Sequence, residues 1–257
     1  MRVLFVTQYA MHFIYFRSIL EALLKNGAEV RLLVVKTKKK KKANDVKEIE
    51  AFRQKYPNFT YGYARKRERN GANKILFLSR DLANYRRYFF DKGQSQYYQD
   101  RVLKHYRPWV VSLIKLAPIK MIIKSKIFER LTKFIERSFQ ASPAITAEIK
   151  QYNPSALVAT PVNMRGAYVA ADLEYLKAAK ALKIPTVVPI ISWDNLTTKG
   201  LFHVLPDIFL AWNEEQKKEA RKHNIPEEKI KIIGAPLFDS WFDPNLKPST
   251  RENFCSK

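Results

Sequence analysis

Residues 190–200 read IISWDNLTTKG, and residues 206–241 read PDIFLAWNEEQKKEARKHNIPEEKIKIIGAPLFDSW. Three apolar runs in this region, 186–191, 208–212 and 230–233, each end in polar or small residues. The first closes with Ser192, Trp193, Asp194 and Asn195. The second closes with Asn213 and Glu214, which open a helix running to His223, and the third with Gly234, Ala235 and Pro236. Strands that deliver such groups from their carboxyl ends belong to open α/β sheets, which bind ligands beyond that edge. The expected fold is therefore α/β, a Rossmann-like parallel sheet with helices on both faces.

Within the first loop, Asp194 suits orienting or deprotonating a hydroxyl, Asn195 and Thr197 with Thr198 supply hydrogen bonds, and Trp193 offers a flat face of the kind sugars stack on. Lys199 and Gly200 suit a phosphate, the lysine as a point charge and the glycine for close backbone approach. A self-bonded Asx turn is the structural alternative for Asp194 and Asn195. Asn213 and Glu214 fit N-capping of the next helix as well as they fit ligand contact. Gly234 lets the backbone come close to a ligand or to another domain.

The same pattern begins the chain. Residues 2–7 form a short apolar strand suited to a covered parallel sheet. Ile14, Ile19, Leu20, Leu23 and Leu24 recur at helical spacing, Asn26-Gly27 stops the helix, and residues 30–35 form the next strand, making one βαβ unit. There is no GxGxxG, so dinucleotide binding has no support. Thr7 closes the first strand. His12 follows at the carboxyl edge, where it fits either a base for a hydroxyl proton or a capping, half-buried histidine. Residues 156–160 form a strand whose end presents Thr160 and Asn163, and residues 168–182 form a helix with Val169, Leu173, Leu176 and Ala179 inward. Asp172 and Glu174 on its early turns suit the helix dipole.

The order SWDN-L-TTKG, then a strand ending AWNE with Gln216 and Ala220 in the next helix, then GAPLFDSW, resembles bacterial glycosyltransferases of the GT-B superfamily. Surface-polysaccharide enzymes are the nearest group, over residues 154–239 and more loosely at the N-terminus. The resemblance implies a two-domain, metal-independent enzyme with no cofactor. Its acceptor, a cell-surface or lipid-linked glycan, is held mainly by the N-terminal domain and its nucleotide-sugar donor mainly by the C-terminal one. Some such enzymes carry a base histidine in the loop after the first strand, the place of His12. On this reading residues 1–243 are the acceptor-side domain with a basic helical insertion near 80–140. Residues 244–257 are a linker or the opening of a donor-binding domain, and a complete single-domain protein is the alternative. A sugar-nucleotide 2-epimerase or a glycerophosphate transferase would carry comparable strands.

Composition adds a second theme. The 257 residues hold 47 Lys plus Arg against 24 Asp plus Glu, a formal charge of +23. Charge of that size speaks of partners rather than fold. The single cysteine, Cys255, excludes an internal disulfide and fits a reducing compartment. Met1-Arg2 runs directly into a strand-like VLFVT, and apolar runs such as 110–114 fall short of the roughly 20 residues that span a bilayer. The expected location is cytoplasmic, or peripheral on the inner face of the cell membrane. Residues 36–42 hold six lysines and predict a solvated, mobile loop. A second basic cluster, 65–69, precedes the turn signal Asn70-Gly71.

Residues 101–140 carry ten Lys or Arg against two Glu, interleaved with apolar residues. On the helix expected over 125–139, Ile127, Leu131, Phe134 and Ile135 form a stripe beside Lys126, Arg130, Lys133 and Arg137. The stripe fits an amphipathic helix packed on the sheet, or an interfacial helix on an anionic membrane. A non-catalytic membrane- or polyanion-binding domain is thus the competing function class. No RNA-recognition, zinc or basic-zipper pattern is present, so specific nucleic-acid recognition has no module.

Overall fold

A computed structural model describes residues 1–36, 46–89, 96–104, 106, 108–160, 171–246 and 250–255. Seven strands form one sheet: β1 (Arg2–Thr7), β2 (Glu29–Val34), β3 (Phe59–Tyr63), β4 (Ala156–Ala159), β5 (Thr186–Pro189), β6 (Ile208–Ala211) and β7 (Ile230–Ile232). Their order is β3-β2-β1-β4-β5-β6-β7, and every neighbouring pair is parallel. All carboxyl ends therefore lie on one edge. The chain winds outward from β1 in both directions, so the crevice between the ends of β1 and β4 is the topological switch point.

The helices are α1 (Arg17–Lys25), α2 (Lys47–Lys55), α3 (Asn73–Arg87), α4 (Gln96–Leu103), α5 (Pro108–Lys115), α6 (Ala117–Lys124), α7 (Lys126–Ser138), α8 (Pro143–Tyr152), α9 (Ala171–Ala181), α10 (Glu214–Lys222) and α11 (Arg251–Cys255). Alternation along the strands divides the core into two layers. Val3, Phe5, Val30, Leu32 and Val34 meet α1 and α2 through Leu20, Leu24, Ile49 and Phe52. Leu4, Val6, Leu33, Leu157 and Ala159 meet α8 and α9 through Ile145, Ile149, Leu173 and Leu176. As expected, α1 stops at Asn26, whose backbone N–H bonds Ala22 O, and Gly27 takes φ +76°.

Strand β3 lies between the two basic clusters, where the sequence analysis assigned no strand. It is an edge strand, FTYGY, in which only Phe59 is buried. Residues 37–45, with most of the lysine run, and residues 161–170, with Asn163 and the expected helix start at Tyr168 and Val169, lie outside the described residues.

The chain between β3 and β4 is helical and has a small apolar centre at Tyr85, Leu103, Val110, Ile114 and Ile123. It is joined to the sheet layer by charge. Arg80, 1% exposed, donates to Glu136 at 2.6 Å and to Glu174 at 2.7 Å. Arg67 reaches Glu174 at 2.8 Å, and Lys177 reaches Glu136 at 2.7 Å. Glu174 is thus the anion of a buried ion-pair network rather than a dipole-complementing surface residue.

Packing of the α7 apolar stripe against the protein is not what the structure has. Thr132 and Glu136 are buried, while Ile127, Leu131 and Phe134 face outward. The reason is Arg80, whose guanidinium takes Glu136 as its partner. A buried cation without its anion costs more than a few exposed apolar side chains. Among the described residues, no helix is long and apolar enough to cross a membrane, and no cluster of His, Cys, Asp and Glu is suited to hold a metal ion.

Candidate functional site

The sequence-nominated residues that are described all sit along the carboxyl edge, in three groups. The first is the crevice between β1 and β4. Gln8, one residue past β1, donates its backbone N–H to Thr160 Oγ1 at 3.2 Å, and the Thr160 hydroxyl donates to Asp172 Oδ2 at 3.1 Å. Asp172 is fully buried, and burial pushes its carboxyl up to about 7 against the pull of these hydrogen bonds. The Thr7 hydroxyl donates to Tyr9 O at 3.3 Å and is buried. Thr7 and Thr160 therefore shape the crevice floor.

His12 lies in a 3-10 turn, Ala10–Phe16, and is 6% exposed. The rings of Tyr9 and Tyr15 stand edge-on to it, with centroids at 5.1 and 5.9 Å. Burial lowers its pKa to about 4, so the imidazole is neutral at neutral pH. Its Nδ1 and the nearby Gln8 Oε1 are both buried without a hydrogen-bond partner among the described residues. A buried polar atom left unpaired costs about 1–3 kcal/mol, so two of them at a switch point call for an explanation.

The second group is the loop after β5. Asn195 Oδ1 accepts the backbone N–H groups of Ile191 at 3.0 Å and Ser192 at 2.9 Å. Asp194 accepts from Ser192 Oγ at 2.7 Å, Thr198 Oγ1 at 2.9 Å and Lys199 Nζ at 2.9 Å. Burial would raise the Asp194 carboxyl, but bonds from Lys199, Ser192 and Thr198 outweigh it and hold the group below its usual range. The Thr197 N–H and hydroxyl both turn back to Asp194 O. The loop is thus self-bonded, its polar groups largely engaged with one another. Trp193 is the exception, 74% exposed at the rim.

What holds this loop in place comes from α3, far away in sequence. Arg87 donates to the carbonyls of Leu196, Thr197, Lys199 and Gly200, and the Tyr88 hydroxyl donates to Thr198 O. Asn84 Oδ1 accepts the N–H of Leu201 at 2.8 Å. A Cβ on Gly200 would fall 2.5 Å from that same oxygen, so glycine here serves contact with Asn84. Sequence reasoning missed Gln8, Asn84, Arg87 and Tyr88. Gln8 carried a usable signal, since it directly follows a strand end.

Behind the loop lies a cavity of about 510 Å³ bordered by Arg87, Glu136, His203 and His223. Burial lowers His203 to about 4 and His223 to about 3, and His223 Nε2 bonds Leu196 O at 2.7 Å. This space is separate from the crevice.

Along the outer edge, Asn213 caps α10 by accepting from Gln216 N at 2.9 Å, and Glu214 is exposed in its first turn. Gly234 follows β7 at φ +76° with open space around it. The chain then crosses the edge as a 3-10 segment, Pro236–Phe242. Phe238 meets Trp212 edge-on, and Asp239 accepts from Ser18 Oγ at 2.6 Å on α1. This strap leaves Trp241 and Phe242 exposed beside the crevice.

No family model matches the chain, and no curated protein matches it. Among solved structures it is similar to the apo form of a lipopolysaccharide outer core galactosyltransferase, WaaB, at 9% identity over 91% of this chain and 45% of that one, with a TM-score of 0.40. It is similar to the spinosyn rhamnosyltransferase SpnG complexed with thymidine diphosphate, at 14% identity over 82% and 44%, TM-score 0.33. It is also similar to a UDP-N-acetylglucosamine 2-epimerase from Rickettsia bellii, at 9% identity over 99% and 51%, TM-score 0.43. The chain spans about half the length of these structures. At such scores the likeness assigns neither an activity nor a ligand to this chain.

Proposed function

We propose that this chain is the acceptor-side half of a GT-B-type glycosyltransferase. It would pass a sugar from a nucleotide-sugar donor to a cell-surface or lipid-linked glycan, with the donor held mainly by a second βα domain. The observation that carries the reading is the switch-point crevice, where His12 Nδ1 and Gln8 Oε1 are buried with no hydrogen-bond partner among the described residues. An acceptor hydroxyl donating to Nδ1 would satisfy that nitrogen, and a second hydroxyl would satisfy Gln8 Oε1.

In transfer, the acceptor oxygen attacks the anomeric carbon as its proton passes to His12. The bond from that carbon to the phosphate oxygen breaks, and the nucleoside diphosphate leaves with the electron pair. A neutral imidazole is in the correct form to receive the proton. Its low pKa makes it a weak base until a negative charge, such as the departing diphosphate, stands nearby. The enclosure that lowers the pKa also keeps water from competing with the acceptor. Asp194, held ionised by Lys199, would fix the rim where Trp193 meets a sugar. Ser192, Asn195, Thr197, Asn213, Glu214, Gly234 and Asn163 complete the proposed binding edge.

The test is transfer from UDP-, GDP- and CDP-linked donors to membrane extract, using this chain and a version extended through its native downstream sequence. Transfer by the longer protein, lost in His12→Ala, supports the reading. Full activity of His12→Ala removes the base, and absence of a second βα domain downstream removes the transferase. A non-catalytic binding module is the second reading, favoured by the outward apolar stripe of α7.

A further inference from the structure

Helix α7 is amphipathic by spacing and mounted with its polar side inward. Thr132 and Glu136 are buried; Glu136 is bonded to Arg80, and Glu129 pairs with Arg86 at 3.1 Å and with Lys133 of its own helix at 2.7 Å. On the opposite arc, at i, i+4 and i+7, Ile127, Leu131 and Phe134 are 77%, 50% and 66% exposed. The two preceding helices repeat the arrangement. Val110, Ile114 and Ile123 point inward, while Trp109, Leu113, Met121 and Ile122 are exposed. Single exposed apolar residues are ordinary, but a stripe at helical spacing marks a face meant to be covered.

Charge identifies the cover. Lys126, Arg130 and Arg137 lie beside the stripe, with Lys120 and Lys124 on the helix before it, while Glu136 is buried and Glu129 is held between Arg86 at 3.1 Å and Lys133 at 2.7 Å. A second copy would set cations against cations, and a nucleic acid would leave the apolar stripe uncovered. A surface with anionic groups above an apolar interior satisfies both features. We propose that α5, α6 and α7 dock this protein on an anionic phospholipid bilayer. Ile127, Leu131 and Phe134 enter the boundary between headgroups and acyl chains, and Lys126, Arg130 and Arg137 meet the lipid phosphates. The inference rests on the mounting of α7 and not on the catalytic reading.

The test is flotation of the intact chain with phosphatidylcholine vesicles, with and without phosphatidylglycerol. Binding is expected to the anionic vesicles and to weaken with salt. The triple variant Ile127→Ser, Leu131→Ser, Phe134→Ser should lose about a hundredfold in partitioning. Lys126→Gln, Arg130→Gln, Arg137→Gln should lose a similar factor, about fivefold per charge, on anionic vesicles alone. All six side chains are exposed, so both variants should melt at the parent temperature. The proposal is overturned if anionic vesicles are not bound, or if the serine variant binds them as the parent does. A dimer that the serine variant splits, without vesicle binding, also overturns it and assigns the face to a second copy. The assay contains no sugar donor, so its failure and that of the transferase reading are distinct.

Discussion

Arg87→Met removes the clamp on the loop after β5 while keeping a long apolar side chain in its place. Arg87 is 9% exposed and donates to four carbonyls between Leu196 and Gly200. A hydrogen bond from a charged donor contributes about 1.5–3 kcal/mol, and a carbonyl left dry costs about 1–3 kcal/mol. Loop carbonyls at the rim regain water on loss of the guanidinium, so counting two of the four as stranded gives a loss of about 3–5 kcal/mol. At roughly 2–4 °C per kcal/mol for a chain of this size, melting should fall by about 10 °C. Arg87→Lys keeps the charge but replaces a planar fork with a point donor that cannot span four carbonyls, so it should lose about half as much. Thermal melting by circular dichroism gives the global number, and hydrogen exchange over residues 192–201 gives the local one. The clamp requires protection there to fall more than in β5 and β6. A drop of less than about 2 °C for Arg87→Met, or unchanged exchange in the loop, would refute it.

Acid stability follows from buried groups, with opposing signs. Burial lowers His12, His203 and His223 to about 4, 4 and 3 from 6.5, so below 6.5 the unfolded chain takes up three protons that the native state refuses. Asp172, raised to about 7 from 3.8, holds one proton natively that the unfolded chain lacks in the same range. The unfolded state then binds roughly two more protons between about pH 5 and 6, and stability should rise with pH there by about 2.7 kcal/mol per unit. Asp172→Asn removes the opposing proton and should steepen that slope; urea midpoints across the range check both, and a flat profile would defeat the assignment. Glu136→Ala strips the buried Arg80 and Lys177 of a shared anion and should cost about 3–5 kcal/mol. In denaturant melts Glu136→Ala should be far worse than Arg2→Ala, which breaks only the exposed Arg2–Glu29 pair at 3.0 Å, and equal effects would contradict the burial of the network.

The five interior strands were legible because a parallel strand covered on both faces is largely apolar and stands out between loops; β7, an edge strand with only Ile230 buried, was legible because its isoleucines run on into Ile233. β3 was not assigned, because its single buried side chain, Phe59, leaves no apolar run among the tyrosines and glycine. The carboxyl-edge loop was visible as a polar cluster, but not its wiring. Asp194, Asn195, Thr197 and Lys199 have the chemistry of ligand contacts, and that same chemistry lets them bond one another. Arg87 could not be found, since a clamp on a strand-end loop is indistinguishable in sequence from its neighbour Arg86 in RRYF. For α7, periodicity told which residues share a face and not which way the face points.

That last ambiguity is resolved by the few acids in the insertion. Residues 101–140 hold ten cations and two glutamates, and two arginines of α3 engage both acids: buried Arg80 holds Glu136, and Arg86 shares Glu129 with Lys133. Once Glu136 is drawn onto Arg80 and Glu129 onto Arg86, the turn of α7 is fixed, and its apolar stripe is carried outward with Lys126, Arg130 and Arg137. The same helix, α3, ends in Arg87, and it and the following Tyr88 hold the loop after β5. Its arginines thus do two opposite things with the excess charge of the chain. Inside, they are consumed by glutamates and carbonyls to fix helix and loop; outside, because those glutamates are consumed, the remaining cations stand uncompensated beside an apolar stripe. Within this insertion the cations are therefore sorted by the fold, and Lys126, Arg130 and Arg137 stand exposed beside the stripe that the core leaves uncovered.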